Sequence, residues 1–281
     1  MDNRYYFEKP LNLNSNNTQK PLLNKTESYT DEMSKTQLDK NNNDILVVVD
    51  KSLPVGHKVE LDKTETGHLV KVRRAKVGDV ITGFCGDGYD YTLKIEEIGK
   101  TTKCIIIDRQ VNNALNCTPV TVFLSTLKND ALNESIDNLT QLNVKNIVIF
   151  DTKYSIASID EDKLEKLRIR SIQACKQCER ADFVNITSMK FTQVINCIKN
   201  YDLALFAYEN TNNPFKQDLQ LYNGKNIAVI VGCEGGFALE EAEEISKYAQ
   251  TISLGKTILR APVACTALTS AVMSGIGEWM R

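Results

Sequence analysis

Gly232-Cys233-Glu234-Gly235-Gly236 follows a short apolar, β-branched run, Ile227 to Val231, and precedes an acidic, helix-favouring segment from Leu239 to Tyr248. Glycines at the end of a buried strand let a ligand touch backbone, and the amide N–H groups of such a turn are free to donate. A second unit of the same kind comes next. Thr251 to Leu254 reads as a strand, Gly255 as its turn, and a small-residue helix opens near Pro262, where proline suits the first helical turn. The two units together spell a small-molecule cradle; tight turns without a ligand are the plainer alternative. Two phosphate-loop patterns fail on this stretch. Gly255-Lys256-Thr257 resembles the end of a P-loop, but Gln250 stands where that motif needs its first glycine. Gly232 to Gly236 lacks the G-x-G-x-x-G spacing of a dinucleotide turn.

A second constellation is cationic. His68, Lys71, Arg73, Arg74 and Lys76 lie together with no acidic residue among them, which suits phosphate contacts, or equally a solvated helix face. Lys+Arg 34 against Asp+Glu 36 gives a net charge of −2, so overall charge argues against non-specific polyanion binding and leaves only a local patch for it. The eight cysteines are scattered, and Cys175-x-x-Cys178 is a single pair inside a helical pattern with no second pair at zinc-ribbon spacing. Helix packing is the expectation there, with no metal. The polar start M-D-N-R-Y-Y-F and the unpaired cysteines suggest reduced thiols in a cytoplasmic protein. The apolar run from Ala261 to Ile276 is too short to span a bilayer and reads as a buried helix.

These residues need elements to position them. Arg4 to Glu8, Ile45 to Val49 and Lys58 to Leu61 read as strands, Thr64 to Lys76 as a helix with a Thr cap. Val80 to Phe84 and Tyr89 to Ile95 make a hairpin, followed by a strand from Thr102 to Ile107. That is a small β-barrel-like domain ending near Val111. Leu11 to Asp44, rich in Asn, Lys, Thr and Ser, is expected to be a low-complexity insertion without order. From Pro119 strands alternate with helices, which predicts a mostly parallel sheet covered on both faces. Ligands of such sheets sit at the carboxyl ends of strands. One rim should therefore carry Leu124 to Thr126, Ala207 to Glu209, Gly232 to Gly236 and Leu254 to Leu259.

Four ordered motifs resemble one family. V-G-C-E-G-G-F is similar to I-G-P-E-G-G-F, with Cys233 for proline, and S-L-G-K-T-I-L-R-A to L-G-x-R-I-L-R-T. Gln173 to Arg180 resembles A-x-E-Q-x-x-R; Gly67 to Arg74 with Gly78-Asp79 resembles H-x-x-x-V-L-R-x-x-x-G-D. The family is RsmE, among the SPOUT-class (trefoil-knotted) methyltransferases, which methylate N3 of a uridine in 16S ribosomal RNA. The resemblance implies an N-terminal PUA-like RNA-binding domain over residues 1–112, with the 11–44 insertion, and a knotted α/β methyltransferase domain over 118–281. It implies S-adenosyl-L-methionine held by Leu205, Ala207, Val231, Gly232, Cys233, Glu234, Gly235, Gly236, Leu254, Gly255, Ile258, Leu259 and Ala264. Arg260, Arg180 and Glu234 become the catalytic candidates. His68, Lys71, Arg73, Arg74 and Lys76 would grip 16S ribosomal RNA of the small ribosomal subunit. A homodimer is also implied, with no membrane and no metal.

The chain departs from that pattern in three places. T-E-T-A after the arginine is here Ala261-Pro262-Val263-Ala264, K-x-x-E-L-G-V is here Asn138 to Val144, and Thr257 replaces a common arginine. A protein that keeps the fold but binds RNA or cofactor without turnover is the alternative these changes raise.

Overall fold

The architecture is that of a computed structural model, which describes residues 4–9, 34–38, 44–48, 52–114, 116, 118–156, 158–211, 215 and 217–279. The chain divides into two units, Tyr5–Gln110 and Val111–Arg281 with Met1–Arg4.

The N-terminal unit is built on β1 (Arg4–Tyr6), β4 (Lys58–Leu61), β5 (Val80–Phe84), β6 (Tyr89–Ile98) and β7 (Thr102–Val111), joined in the order β1-β5-β6-β7-β4. Alternate residues of these strands point to one core of Tyr5, Val59, Leu61, Tyr91, Leu93, Ile95, Cys104 and Ile106, which Leu69 of helix α1 (Lys63–Lys71) joins. Tyr91 fills that core and still satisfies its hydroxyl, which donates to Asp87 Oδ2 at 2.7 Å and accepts from the Leu53 amide at 2.8 Å. The helix is shorter than the sequence suggests. Asp62, not Thr64, caps it, accepting from the Glu65 amide at 2.7 Å. It stops at Lys71, and Arg74 turns into the left-handed region with φ 54°. Arg73, Arg74 and Lys76 therefore lie past the helix instead of along one of its faces. Within the stretch expected to lack order, Ser34–Leu38 (β2) pairs antiparallel with Asp44–Val48 (β3), whose β-branched apolar run offers a template. The remainder of the 11–44 insertion lies outside the described residues.

In the C-terminal unit six strands form one all-parallel sheet in the order β10-β9-β8-β12-β11-β13. They are β8 (Val120–Ser125), β9 (Asn146–Phe150), β10 (Asn185–Met189), β11 (Leu203–Ala207), β12 (Ile227–Val231) and β13 (Gln250–Ile252). Helices α2 (Asn129–Gln141), α3 (Glu161–Cys178) and α6 (Ala261–Gly275) cover one face, α4 (Phe191–Ile198) and α5 (Leu239–Ser246) the other. The central strand β12 shows why its sequence has no polar position. Ile227, Val229 and Val231 enter the first core, Ala228 and Ile230 the second. Each fully buried aliphatic side chain there contributes roughly 1.5–3 kcal/mol.

The order of the last strands carries the topology. After β12 the chain crosses to β13 on the far side of β11, then returns as α6 against β11, β12 and a 3₁₀ turn, Leu219–Tyr222, in the β11–β12 connection. Contact at that turn is close: a Cβ on Gly275 would lie 2.5 Å from Leu219 Cδ1. The last helix thus packs closely against the connection between β11 and β12.

Two thiols of this unit, those of Cys175 and Cys265, serve packing. Burial pushes both Cys175, on the inner face of α3, and Cys265, inside α6, up to about 12. Iodoacetamide at pH 8 is expected to leave both unlabelled in the native protein and to label them after denaturation, as read by peptide mass spectrometry. Native labelling of either at the rate of a free thiol would contradict that placement.

Candidate functional site

Because all six strands run one way, their carboxyl ends share one edge, and a pocket of about 410 Å³ opens there, within the range small-molecule sites occupy. Three segments wall it: Ala207 to Glu209 after β11, Val231 to Phe237 after β12, and Ile252 to Ala261 with Ala264 after β13. Of the expected cofactor residues, Ala207, Val231, Gly232, Cys233, Glu234, Gly236, Leu254, Gly255, Ile258, Leu259 and Ala264 line it. Leu205 and Gly235 do not. Leu205 is a core residue, 1% exposed, and Gly235 faces away, its Cα packed on Tyr154. Leu124 to Thr126, expected on the same rim, also lies outside the pocket lining; Ser125 and Thr126 spend their hydroxyls on Thr152, Ser155 and Asp151.

Each glycine of the turn has its own reason. A Cβ on Gly232 would meet the Phe237 ring at 2.7 Å. Gly236 holds φ 69°, which lets its amide donate back to Cys233 O at 3.0 Å and close the turn. Glu234 crosses the rim, accepting from the Lys128 amide at 3.1 Å, and so fixes the β8–α2 loop. Glu241 of α5 accepts from both Ala238 N at 3.0 Å and Lys153 N at 2.8 Å, tying the helix start to the β9–α3 loop. The opposite wall is different. Among the described residues no backbone amide from Ser253 to Arg260 has an acceptor, so a row of donors is left for a ligand or water. Arg260 is the N-cap residue of α6, is exposed, and has no ion-pair partner among the described residues. Sequence reasoning put Tyr208, Glu209, Lys256 and Thr257 on the rim without naming them as cofactor residues and left out Phe237, Ile252, Ser253 and Ala261; Phe237 is signalled only by its place directly after the glycine turn.

Arg180 corrects an expectation. It is 2% exposed, and its guanidinium donates to Asp182 Oδ1 at 2.8 Å and Oδ2 at 3.0 Å, to Thr140 O at 3.0 Å and to Val144 O at 3.2 Å. With its donors used inside the fold it lies outside the pocket lining and locks the end of α3 to the end of α2. The departures from the family pattern are also accommodated. Pro262 sits in the first turn of α6, where its missing N–H costs nothing, and Asn138 Nδ2 donates to Thr266 Oγ1 at 3.2 Å across the α2–α6 seam.

Among the described residues of the N-terminal unit, His68, Lys71, Arg74 and Lys76 are exposed and Arg73 is half-buried, and none has an ion-pair partner. No three His, Cys, Asp or Glu side chains come together as metal ligands among the described residues, and no described helix is long and apolar enough to cross a membrane.

The parallel sheet with a glycine-walled pocket at its carboxyl edge has the SPOUT-class methyltransferase fold. A profile of the RNA methyltransferase domain matches residues 114–273, and one of the RNA methyltransferase PUA domain matches 61–108. Ribosomal RNA small subunit methyltransferase E of Rickettsia conorii is 30% identical over 236 residues, covering 82% of this chain and 95% of that one. The protein of the same name from Bacillus subtilis is 25% identical over 224 residues, covering 74% and 86%. Among solved structures, the Neisseria gonorrhoeae ribosomal RNA small subunit methyltransferase E bound to S-adenosyl methionine superposes with a TM-score of 0.72 at 21% identity, covering 83% of this chain and 98% of that one. The chain belongs to the ribosomal RNA small subunit methyltransferase E family.

Proposed function

We propose that this protein transfers the methyl group of S-adenosyl-L-methionine to N3 of a uridine in 16S ribosomal RNA of the small ribosomal subunit. The observation that carries the reading is the pocket itself: a wall of amides from Ser253 to Arg260 faces a glycine turn, with Arg260 at the rim, and neither the amides nor the arginine has a partner among the described residues. The residues fit the cofactor. Gly236 and Gly255, at φ 69° and 134°, give the backbone a shape that side chains would close, and the donor row suits the polar atoms of an adenosine and an amino acid. Bound there, the cofactor supplies a sulfonium methyl for in-line displacement; the N3–CH₃ bond forms as the S–CH₃ bond breaks, and the N3 proton leaves to solvent or base. The turns from Gly232 to Gly236 and from Leu254 to Leu259 hold the donor and exclude water from one side. Arg260 stabilises the negative charge that gathers on the uracil as N3 loses its proton. Glu234, tied to the Lys128 amide, positions the rim.

In this reading residues 1–112 are the RNA-binding part, gripping phosphates through Lys71, Arg73, Arg74, Lys76 and His68, and 118–281 the methyltransferase part. The protein works in the cytoplasm as a homodimer, supported by the small-residue face of α6 that leaves Ala267 and Ala271 exposed. Incubation with labelled cofactor and small subunits lacking the modification should transfer label to RNA; no transfer at any salt concentration would sink the reading. Arg260→Ala should lower kcat for RNA methylation roughly 100-fold, the scale of one lost charge-stabilising donor, while the Kd for S-adenosylmethionine stays near its original value. An equal loss in both would make Arg260 a cofactor residue.

A further inference from the structure

The β9–α3 connection places Tyr154 on the outer side of the glycine turn. A Cβ on Gly235 would lie 2.9 Å from Tyr154 Cβ and 3.5 Å from Tyr154 O, so Gly235 is glycine to admit this residue, not a ligand. The loop that carries it is pinned. The Thr152 amide donates to Ser155 Oγ at 2.9 Å, the Ser125 and Thr152 hydroxyls meet at 2.8 Å, and the Lys153 amide is held by Glu241. Ser125 and Thr152 are buried, so the base of the loop is dry and fixed. Yet the Tyr154 side chain it presents is 47% exposed, with no ring contact or hydrogen bond among the described residues, and Ile156 beside it is 78% exposed. Lys153, its neighbour in sequence, and Lys128 of the β8–α2 loop are exposed, as are Asp151 and Glu234.

An exposed aromatic ring on a pinned loop, without a partner among the described residues, is what a nucleotide base stacks on, because every base offers a π-face. A protein surface would find only one ring and one isoleucine here, too little for a stable interface. We propose that Tyr154 is an RNA-positioning residue: it stacks on a base next to the target uridine and brings that nucleotide to the pocket on the other side of Gly235. This rests on the RNA-methylation reading above.

The test is equilibrium binding of a fluorescent 16S RNA fragment, measured by anisotropy without turnover. Tyr154→Ala weakens RNA binding roughly 5- to 100-fold, the range for one lost base–aromatic stack, whereas Tyr154→Phe and Tyr154→Trp retain it. Cofactor affinity by calorimetry is the same in all four proteins. RNA affinity of Tyr154→Ala equal to wild type overturns the inference. So does a parallel loss of cofactor affinity, which would make Tyr154 a prop for the turn, or a changed oligomeric state with RNA affinity intact. RNA binding through Tyr154 by a protein that transfers no methyl group would sink the proposed function and leave this inference standing; a wild type without affinity for the RNA sinks both.

Discussion

Gly236→Val is expected to fold and to bind S-adenosylmethionine at least about 100-fold more weakly than the native protein. At φ 69° a β-branched residue is strained by roughly 1–3 kcal/mol, and the turn relaxes by moving the pocket wall. The amide that closes the turn onto Cys233 O moves with it. Displacement of a positioning group by about 1 Å costs on the order of 10²-fold in rate, and the misplaced wall loses its cofactor contacts as well. The new side chain also points toward Glu209, whose Oε1 is 3.8 Å from a Cβ at this position. Calorimetry gives the affinity and thermal unfolding checks the fold; Gly236→Ala should fall between. Native affinity in the valine variant would mean that the cofactor does not use this turn.

Arg180→Met is expected to cost about 3–5 kcal/mol of stability, the range for removing one partner of a buried ion pair, with a drop in Tm on the order of 10 °C. The change leaves Asp182 with Lys145 alone and takes the guanidinium donor from the Thr140 and Val144 carbonyls, of which Thr140 O still accepts from the Asn143 amide. The same pair sets an acid limb. Burial opposes the charge on Asp182, but the Arg180 guanidinium and then Lys145 outweigh it and hold the carboxyl below its usual range. A carboxyl depressed in the folded state stabilises above its unfolded pKa of about 3.9, and the contribution is lost as pH falls through the folded value. Chemical denaturation from pH 6 down to pH 2 should show this loss in the native protein, and a smaller one in Arg180→Met. A variant of unchanged stability but lost RNA methylation would return Arg180 to the catalytic candidates.

Both predictions turn on how much the sequence could say. The glycine turn was legible because β12 is apolar at every position and only a strand with two covered faces reads that way. The pocket followed from parallel strands sharing one carboxyl edge. Arg180 was misplaced because a motif gives order along the chain and not burial; Asp182, two residues on, was the available signal for a buried pair. The strand Asn185–Met189 went unread since it lies at the sheet edge and buries only Ile186, so its alternation is faint. The helix α1 was drawn five residues too long because Arg74, a residue of ordinary helix propensity, adopts a left-handed conformation that propensity does not forecast. Tyr154 had no pattern around it at all; only the space above Gly235 singles it out.

The most direct measurement is a crystal soaked with S-adenosylmethionine. The cofactor is predicted between the Gly232–Gly236 turn and the Leu254–Leu259 segment, accepting hydrogen bonds from the amides of the latter. Density for it elsewhere, or none at a concentration that saturates the protein in solution, would contradict the account.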